Sequence, residues 1–386
     1  MINFKDRTWV EVNLDGIEHN YKVIRNIVPK QSKICCVVKA DAYGHGAIHV
    51  AKHLEKLGAD FFAVSNIDEA LQLRYADVTS PILILGYTPP ERAKTLAVQN
   101  ISQCIYSYDY AVALAQQAKT ANVKIPIHIK IDTGMGRLGF VFRHSREESL
   151  DLLLNVCSYD CFYPEGIFTH FPTADEGEKG RIATKDQFSH FCSVIDNLSA
   201  KGIRFKIKHC SNSAAILDYP EYSLDMVRLG ISLYGALPSM EIKNIPDLQS
   251  TITLKTVVSN VKNVKKGDTI GYGGAYSAPR DMKIATIPMG YADGFHRINY
   301  KNGTQLLVNG KLCNIVGRIC MDQLMLDIDG VPNVKIGDEV VVFGSEGAID
   351  LYTFAQRNDT IPYEVLCTIG ARVPRFYKIN SDVLVK

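Results

Sequence analysis

The first long apolar run of the chain, residues 34–38, ends in a lysine. Lys39 is followed by the turn-forming sequence ADAYGHG. A continuous apolar run closed by turn residues is typical of a strand buried on both faces, as in a parallel sheet. Partial burial at the end of such a strand would lower the pKa of the Lys39 amine and free it as a nucleophile or base. A lysine that only extends into solvent at the rim of the fold fits this stretch equally well.

Further polar residues follow other apolar runs at the same end of each run, where α/β folds gather their ligands. They are Tyr43, Lys130, Asp132, Arg137, His170, His209, Asn212, Ser213, Arg228 and Gly230. Each alone has a structural explanation, such as a hydrogen-bonded histidine, a surface ion pair or a helix start. Together, an amine, two guanidinium groups, an imidazole and a helix N-terminus are what a phosphorylated, carbonyl-bearing cofactor held as a Schiff base requires. The pattern therefore predicts a site for pyridoxal 5'-phosphate.

The elements that must position these side chains alternate between strand and helix as far as about residue 240. Apolar runs predict strands at residues 33–39, 60–65, 81–86, 101–106, 125–132, 163–169, 205–210 and 225–229. Helical patterns fall between them, for example at residues 184–201. An open doubly wound sheet would show the same alternation, but eight units favour a (β/α)8 TIM-type barrel.

Beyond residue 240 the pattern changes to alternating apolar and polar residues. Such runs occupy residues 250–264, 282–289, 305–308, 312–317, 323–328 and 338–343, and helical pattern is confined to about residues 350–357. Asn309–Gly310 between two runs is a hairpin signal. We therefore predict an α/β plus all-β protein, with a barrel over residues 1–240 and a C-terminal β-domain over residues 241–386. The strand within residues 1–13 is free to return and pair with the second domain.

The bulk composition argues against several classes of function. Apolar residues make up 46% of the 386 residues, charged residues 22%, and the net charge is +2. This balance favours neither a nucleic-acid nor a membrane surface, and no apolar stretch is long enough to span a bilayer. The N-terminus lacks the apolar core of a signal peptide, and ten cysteines without a C-x-x-C pair argue against zinc. We expect a cytoplasmic protein with no metal site and no nucleic-acid or membrane partner.

Nine stretches, in order along nearly the whole chain, resemble the PLP-dependent alanine racemase family. They are VVKADAYGHG (37–46), IKIDTGMGRLGF (129–140), GIFTHFPTADE (166–176), SNSAA (211–215), MVRLGI (226–231), IGYGGAY (270–276), IPMGYADGF (287–295), VGRICMDQ (316–323) and PYEVLCTI (362–369). The first and the GRICMDQ motif are highly specific, whereas TGMGRLGF is shared in looser form with related racemases. The resemblance implies a PLP barrel with a C-terminal β-domain, and a racemase that interconverts L- and D-alanine and supplies D-alanine for peptidoglycan.

The resemblance also implies two bases on opposite faces of the substrate. Lys39 would hold the cofactor and act on one face, while Tyr272 would reach in from the partner subunit and act on the other. A tyrosine has an unperturbed pKa of ~10, and His170 and Arg228 would tune it through hydrogen bonds. Arg228 would also face the ring nitrogen, which a guanidinium cannot protonate, so the ring would stay a weak electron sink. A site built from two chains implies a homodimer.

The remaining roles implied by the resemblance concern binding. The cofactor's phosphate side would be held by Tyr43, Asn212, Ser213, Gly230, Ile231 and Tyr363. Arg137 would contact the phenolate side of the cofactor and, with the backbone of Met321 from the partner, the substrate carboxylate. Tyr291 and Asp322 would line the entrance. Lys130 matches a position where many family members carry a carbamylated lysine that orients the arginine.

Three other functions are compatible with parts of this sequence. A broader racemase would also accept, for example, serine. Serine differs from alanine by one hydroxyl, which allows a discrimination of only ~1–3 kcal/mol in such a pocket. A non-catalytic PLP-carrier protein on a lone barrel is disfavoured by the motifs IGYGGAY and GRICMDQ. A decarboxylase of the same barrel class is disfavoured by Arg228, because decarboxylation gains from a strong electron sink.

Overall fold

The computed structural model describes residues 7–142, 146–380 and 382–384. Its internal contacts divide these residues into two compact units. One unit, the β unit, comprises the described residues up to Gly16, residues 43–46 and everything described from Ser250 onward. The other, the barrel unit, comprises residues 17–42 and 47–249. The two-domain limits, with the boundary at residue 240, stay a prediction.

Parallel strands form the frame of the barrel unit. After β1 (Thr8–Asn13), which belongs to the β unit, the strands are β2 (Lys33–Val37), β3 (Phe61–Val64), β4 (Ile82–Ile84), β5 (Ile101–Ile105), β6 (Ile125–Asp132), β7 (Phe140–Val141), β8 (Phe162–Phe168), β9 (Ile207–His209) and β10 (Met226–Leu229). Short β7 pairs only with β6, and the others follow the order β10-β2-β3-β4-β5-β6-β8-β9. Backbone bonds from Asp225 to Lys208 (3.1 Å) and from Arg228 to Ser211 (2.9 Å) join the two ends. This nearly closed ring, eight strands among the described residues, confirms the predicted (β/α)8 barrel.

Helices connect these strands in the predicted alternation. They are α1 (Leu14–Ile27), α2 (Lys39–Tyr43), α3 (Ala47–Lys56), α4 (Ile67–Tyr75), α5 (Ala93–Val98), α6 (Tyr108–Thr120), α7 (Arg146–Cys157), α8 (Gly177–Ala200) and α9 (Ser213–Asp218). The prediction that α8 begins at residue 184 was wrong by seven residues. Two glycines made its first turns look like a loop, but Gly180 is there for space, because a Cβ on it would lie 1.8 Å from the Thr173 carbonyl oxygen.

The β unit is built mainly from antiparallel strands, although β1 pairs in parallel with one of them. Its other strands are β11 (Ile252–Val257), β12 (Asn260–Val264), β13 (Thr269–Ile270), β14 (Tyr276–Ser277), β15 (Met282–Ile287), β16 (Gln305–Val308), β17 (Lys311–Asn314), β18 (Leu324–Asp327), β19 (Glu339–Phe343), β20 (Arg375–Ile379) and β21 (Asp382–Leu384). The first sheet has the order β17-β16-β19-β11-β1-β20-β21, and β12-β15-β18 form a second. β1 is antiparallel to β11 and parallel to β20. Asn309 and Gly310, both with positive φ, form the predicted hairpin turn between β16 and β17.

Among the described residues, two α-helices lie entirely within the β unit, and the sequence pattern did not indicate one of them. α10 (Leu351–Arg357) is the predicted one, whereas α11 (Pro362–Thr368) was missed. Pro362 stands at the start of α11, where its missing N–H costs nothing, and seven residues are too few to show an apolar repeat clearly. Across the described residues no helix combines the length and apolar character needed to cross a membrane.

Candidate active site

Lys39 opens a left-handed helical turn directly after β2. The next four residues all have positive φ, with values of 51° for Ala40, 53° for Asp41, 54° for Ala42 and 52° for Tyr43. An L-residue in this conformation costs roughly 1–2 kcal/mol, so such residues normally occur singly. The sequence predicted only a turn after the strand. A run of four non-glycine residues persists only where the surroundings hold it in place.

Glu69 on α4 is one of the groups that hold this turn. Its Oε1 accepts the N–H of Ala40 at 2.8 Å, and its Oε2 accepts the N–H of Ser65, just beyond β3, at 2.7 Å. One carboxylate therefore links the residue after Lys39 to the end of the neighbouring strand. At the other side of the turn, Oδ1 of Asp41 accepts the N–H of Ala47 at 2.7 Å. The bonds made by the Ala40 N–H and by the Asp41 carboxylate restrict the backbone that carries the Lys39 amine.

Arg228 on β10 lies buried in the barrel, and both terminal nitrogens of its guanidinium group are hydrogen bonded. Its Nη1 donates to Nδ1 of His209 at 3.0 Å, and its Nη2 donates to the carbonyls of Thr169 (2.9 Å) and Cys210 (2.8 Å). Nδ1 of His170 lies 3.3 Å from Nη2 and is a third, longer acceptor that shares its two hydrogens. Burial lowers the pKa of Arg228 to about 10, which leaves it protonated at neutral pH. Each histidine accepts at Nδ1, so a neutral ring carries its proton on Nε2.

Four cationic side chains surround His170, which follows β8. Burial lowers the pKa of His170 well below its usual value, and the charges of Arg228, Lys130, Arg137 and Lys39 lower it further. His170 therefore stays neutral at neutral pH. The same interactions bring together five residues that the sequence selected at four different strand ends.

Lys130 on β6 is 4% exposed and lies against an aromatic ring. Its Nζ is 5.5 Å from the centre of the Phe168 ring, as is Cζ of Arg228. Burial, together with the charges of Arg137 and Arg228, lowers the pKa of Lys130 to about 8. On the order of a tenth of this amine is then uncharged at neutral pH, the form that reacts with electrophiles.

Asp132 shapes the loop that carries Arg137. Its Oδ1 accepts the N–H groups of Gly134 (2.8 Å) and Gly136 (3.1 Å). A Cβ on Gly139 would lie 2.6 Å from the backbone nitrogen of Asp132, so the loop folds back tightly on the strand end. Asp132 thus acts on the backbone, and Arg137 remains exposed at the end of the loop.

The ends of β9 and β10 are joined by side chains of the SNSAA motif. Oγ of Ser213 accepts the N–H of Gly230 at 3.0 Å and keeps its own O–H as a donor. Asn212 caps α9 by accepting the N–H of Ala215 at 3.0 Å. Ile231 begins a 3-10 helix, Ile231–Tyr234, whose first N–H groups have no acceptor within the helix.

The predicted residues of the β unit fall in two places within that unit. The rings of Tyr43 and Tyr363 have their centres 6.1 Å apart. Tyr272, Tyr291 and Met321 instead lie on adjoining loops, with exposures of 68%, 44% and 54%.

Backbone contacts bring those loops together. The N–H of Tyr291 donates to the Cys320 carbonyl at 3.2 Å, and a Cβ on Gly271 would lie 2.9 Å from the nitrogen of Arg318. Asp322 accepts from Nη2 of Arg372 at 2.7 Å. The loops therefore form one exposed surface of the β unit.

Two family models cover most of the chain. The alanine racemase N-terminal domain matches residues 12–238, and the alanine racemase C-terminal domain matches residues 251–377. The chain belongs to the alanine racemase family. The resemblance inferred from the motifs is thereby confirmed.

Individual alanine racemases are similar over nearly their whole length. The protein of Desulforamulus reducens is 43% identical over 374 residues, which cover 97% of this chain and 99% of that protein. The solved structure of the Clostridium difficile 630 alanine racemase has a TM-score of 0.92 at 42% identity, covering 98% of this chain and 97% of that one. The Bacillus anthracis alanine racemase with bound L-Ala-P has a TM-score of 0.91 at 35% identity, with the same two coverages.

Sequence reasoning overlooked two polar residues in this alanine racemase barrel, His128 and Glu165. Both lie inside predicted strands rather than at the strand ends, where α/β folds gather their ligands. The alternation of IHIKID places His128 on the same face as Lys130 and Asp132. That periodicity was the available signal for His128.

Proposed function

We propose that this protein interconverts L- and D-alanine with pyridoxal 5'-phosphate as cofactor, working as a cytoplasmic homodimer that supplies D-alanine for peptidoglycan. The observation that carries the proposal is the setting of Arg228, a buried cation whose acceptors are two imidazoles and two carbonyls. A buried guanidinium can donate to the cofactor's ring nitrogen but cannot protonate it. That favours simple proton exchange at Cα over reactions that need a strong electron sink.

The donor groups of the barrel fit pyridoxal 5'-phosphate. Lys39 offers the primary amine that the cofactor's aldehyde requires, and Arg228 offers a donor for its ring nitrogen. The hydroxyl of Ser213 and the N–H of Ile231 are suited to a phosphate. The N–H of Gly230 donates to the Ser213 oxygen and so fixes the position of that hydroxyl. When bound, the cofactor withdraws electrons from the substrate and so acidifies its Cα–H. The remaining phosphate-side residues of this proposal are Tyr43, Asn212 and Tyr363.

Racemisation needs one base on each face of Cα, because the proton must be removed from one side and returned from the other. Lys39 would serve one face and Tyr272 of the partner subunit the other. The exposure of Tyr272 within its own chain supports a role in the partner's site. The proton on Nε2 of His170 would be donated to the Tyr272 oxygen. A donor backed by the charge of Arg228 stabilises the phenolate form, which is the base.

The substrate carboxylate would be held by Arg137 and by the backbone N–H of Met321 of the partner subunit. Tyr291 and Asp322 would line the entrance. We also propose that Lys130 is carbamylated, since its lowered pKa supplies the uncharged amine that adds to carbon dioxide. The carbamate would pair with Arg137 and orient it toward the carboxylate. The family match over residues 251–377 weighs against a carrier protein on a lone barrel.

The experiment that tests this function follows hydrogen exchange and product together. The purified protein is incubated with pyridoxal 5'-phosphate and L-alanine in D₂O, with exchange at Cα read by NMR and D-alanine by chiral chromatography. We expect exchange together with accumulation of D-alanine, and a much lower rate with L-serine. Cofactor binding without exchange or D-alanine would contradict the proposal. Equal rates with serine would replace it by a broader racemase.

A further inference from the structure

A chain of hydrogen bonds runs through the barrel from Arg228 to a carboxylate at its far end. Nη1 of Arg228 bonds Nδ1 of His209 at 3.0 Å, and Nε2 of His209 bonds Nδ1 of His128 at 2.9 Å. Nε2 of His128 then bonds Oε2 of Glu165 at 3.2 Å, and Ser102 donates to the same oxygen at 2.7 Å. The five side chains come from five strands, β10, β9, β6, β8 and β5.

The two ends of this chain fix where every proton lies. Arg228 can only donate, so Nδ1 of His209 must accept and the ring proton of His209 lies on Nε2. That proton is donated to Nδ1 of His128, whose own proton then lies on Nε2. A carboxylate can only accept, and Glu165 receives this last proton. Both imidazoles are therefore neutral, and their dipoles point the same way.

The barrel leaves room for this arrangement. His128 is fully buried, and a Cβ on Gly166 of β8 would lie 2.4 Å from its Nδ1. The Phe168 ring stacks on His209 with centres 4.7 Å apart and planes 9° from parallel. The Glu165 side chain is 23% exposed, so the chain ends at the edge of solvent. A glycine and a stacked ring at these positions hold the two imidazoles in contact.

The charge distribution shows what Glu165 supplies. Burial alone would raise the pKa of Glu165, but the hydrogen bonds from His128 and Ser102 outweigh it and lower the pKa, helped by the charge of Lys206. Glu165 is thus an anion at neutral pH. Through the two imidazoles, the Glu165 carboxylate strengthens each hydrogen-bond acceptor in turn, as far as Nδ1 of His209, which accepts from Arg228.

We propose that Glu165 and His128 are positioning residues for racemisation, which orient His209 and thereby hold the Arg228 guanidinium in the plane that the reaction uses. The proposal rests on the function proposed above. If their role were purely structural, the side chains of this hydrogen-bond chain would only satisfy one another's donors and acceptors in the core. The two roles differ in what happens to turnover when the far end loses its acceptor.

The first test reads the proton positions in the wild-type protein without cofactor. Ring ¹⁵N NMR of histidine-labelled protein, with His128→Asn and His209→Asn variants to assign the signals, reports the tautomer of each ring. We expect both rings to be neutral and protonated at Nε2. A proton on Nδ1 of either ring, or a charged ring, at neutral pH would overturn the proposal.

The second test compares three variants in the alanine assay. Glu165→Leu removes the acceptor, Glu165→Gln keeps an acceptor without the charge, and Ser102→Ala removes only the second donor to the carboxylate. We expect kcat to fall about tenfold in Glu165→Leu and less in Glu165→Gln, with KM for alanine nearly unchanged and Ser102→Ala close to wild type. Folding is checked for each variant by thermal unfolding without cofactor.

Two results of the second test would overturn the proposal. One is an unchanged kcat in a folded Glu165→Leu variant, and the other is an equal loss in Ser102→Ala. If Glu165→Leu does not fold, Glu165→Gln and the ring spectra decide. If the wild type has no racemase activity, the proposed function fails, whereas the ring spectra still decide whether Glu165 orients His209 and Arg228.

Discussion

Arg228 and Lys130 in the barrel unit are each 4% exposed, whereas Tyr272 and Met321 in the β unit expose 68% and 54% of their surface. All four were selected from the sequence as residues of one site. The barrel residues are held by hydrogen bonds and aromatic contacts within their own unit. The β-unit residues lie on loops and turn large side chains toward solvent. The barrel residues are thus buried within a single chain, whereas the β-unit residues remain accessible to solvent.

This difference supports the division of labour in the proposed homodimer. Groups that must keep a fixed charge and orientation gain from burial among rigid strands. Groups that complete another subunit's site must stay exposed until the two chains meet, and a symmetric dimer completes two sites at once. The predictions below test this division, beginning with the largest effect.

Lys39→Ala should cause the largest loss, because it removes both the cofactor's amine partner and one base. We expect the alanine racemisation rate to fall by about 10⁴-fold. The measurement is D-alanine formation by chiral chromatography. Lys52→Ala, a substitution on the exposed side of α3, is the control and should leave the rate unchanged. A Lys39→Ala variant within tenfold of wild type would remove Lys39 from the mechanism.

Tyr272→Phe should lower the rate by about 10³-fold, and its combination with Lys39→Ala tests which chain supplies the tyrosine. When the two inactive variants are unfolded and refolded together, random pairing puts half of the chains into mixed dimers. Each mixed dimer has one intact site if Tyr272 acts on the partner, so about a quarter of wild-type activity should return. No recovery, with mixed dimers shown by mass spectrometry, would place both bases in the same chain.

Arg228→Glu should lower racemisation by about 10²-fold and add a long-wavelength absorbance band to the cofactor-loaded enzyme with alanine. The reason is that a carboxyl group can protonate the ring nitrogen and make the ring a stronger electron sink. Arg228→Lys keeps the charge without the planar fork, and we expect it to lose activity without the new band. If Arg228→Glu behaves like the parent, the argument from the ring nitrogen fails.

Two buried histidines of the barrel unit should also make the free energy of unfolding depend on pH. The folded-state pKa values of His170 and His209 are lowered well below 6.5 by burial and by the charge of Arg228. Below pH ~6.5 the unfolded chain binds a proton at each histidine while the folded chain does not, so stability falls as the pH drops. The slope is up to ~1.4 kcal/mol per pH unit for each histidine, and above pH ~7 these two groups contribute no slope.

Urea unfolding of the cofactor-free protein between pH 7.5 and about 5.5, at one protein concentration, measures this slope. Tyr272→Phe is the matched control from the exposed group and should show the same pH dependence as wild type. Stability that stays flat down to pH ~5.5 would mean that the two histidines take up protons in the folded state.

The sequence predicted the barrel well because its strands are buried on both faces and so read as continuous apolar runs. It predicted the position of Lys39 but not the left-handed turn, since Glu69 and Ser65, which hold that turn, come from another strand–helix unit. It also overlooked His128 and Glu165, whose role depends on contacts across the barrel interior. Strand ends can be found from local pattern, whereas chains of hydrogen bonds between strands cannot.

The smallest expected effect concerns Glu69, which holds the strained left-handed turn that follows Lys39. Its two carboxylate oxygens accept the N–H groups of Ala40 and Ser65. Glu69→Gln keeps one acceptor oxygen, so one of these N–H groups loses its partner. We expect a loss of about 1 kcal/mol in the free energy of unfolding and a drop of a few-fold in kcat, because the Lys39 backbone relaxes.

Asp68→Asn is the matched control for Glu69→Gln, because Asp68 is the adjacent acidic residue on α4 and its side chain is 89% exposed. Both variants are compared by urea unfolding and by the alanine assay. A loss of stability without any loss of kcat would show that the turn keeps Lys39 in place without Glu69. Equal effects in the two variants would show that the charge of the helix start, rather than the clamp on Ala40, is what matters. A loss confined to Glu69→Gln in both measurements would mean that the strain of the turn is held for the benefit of the Lys39 amine.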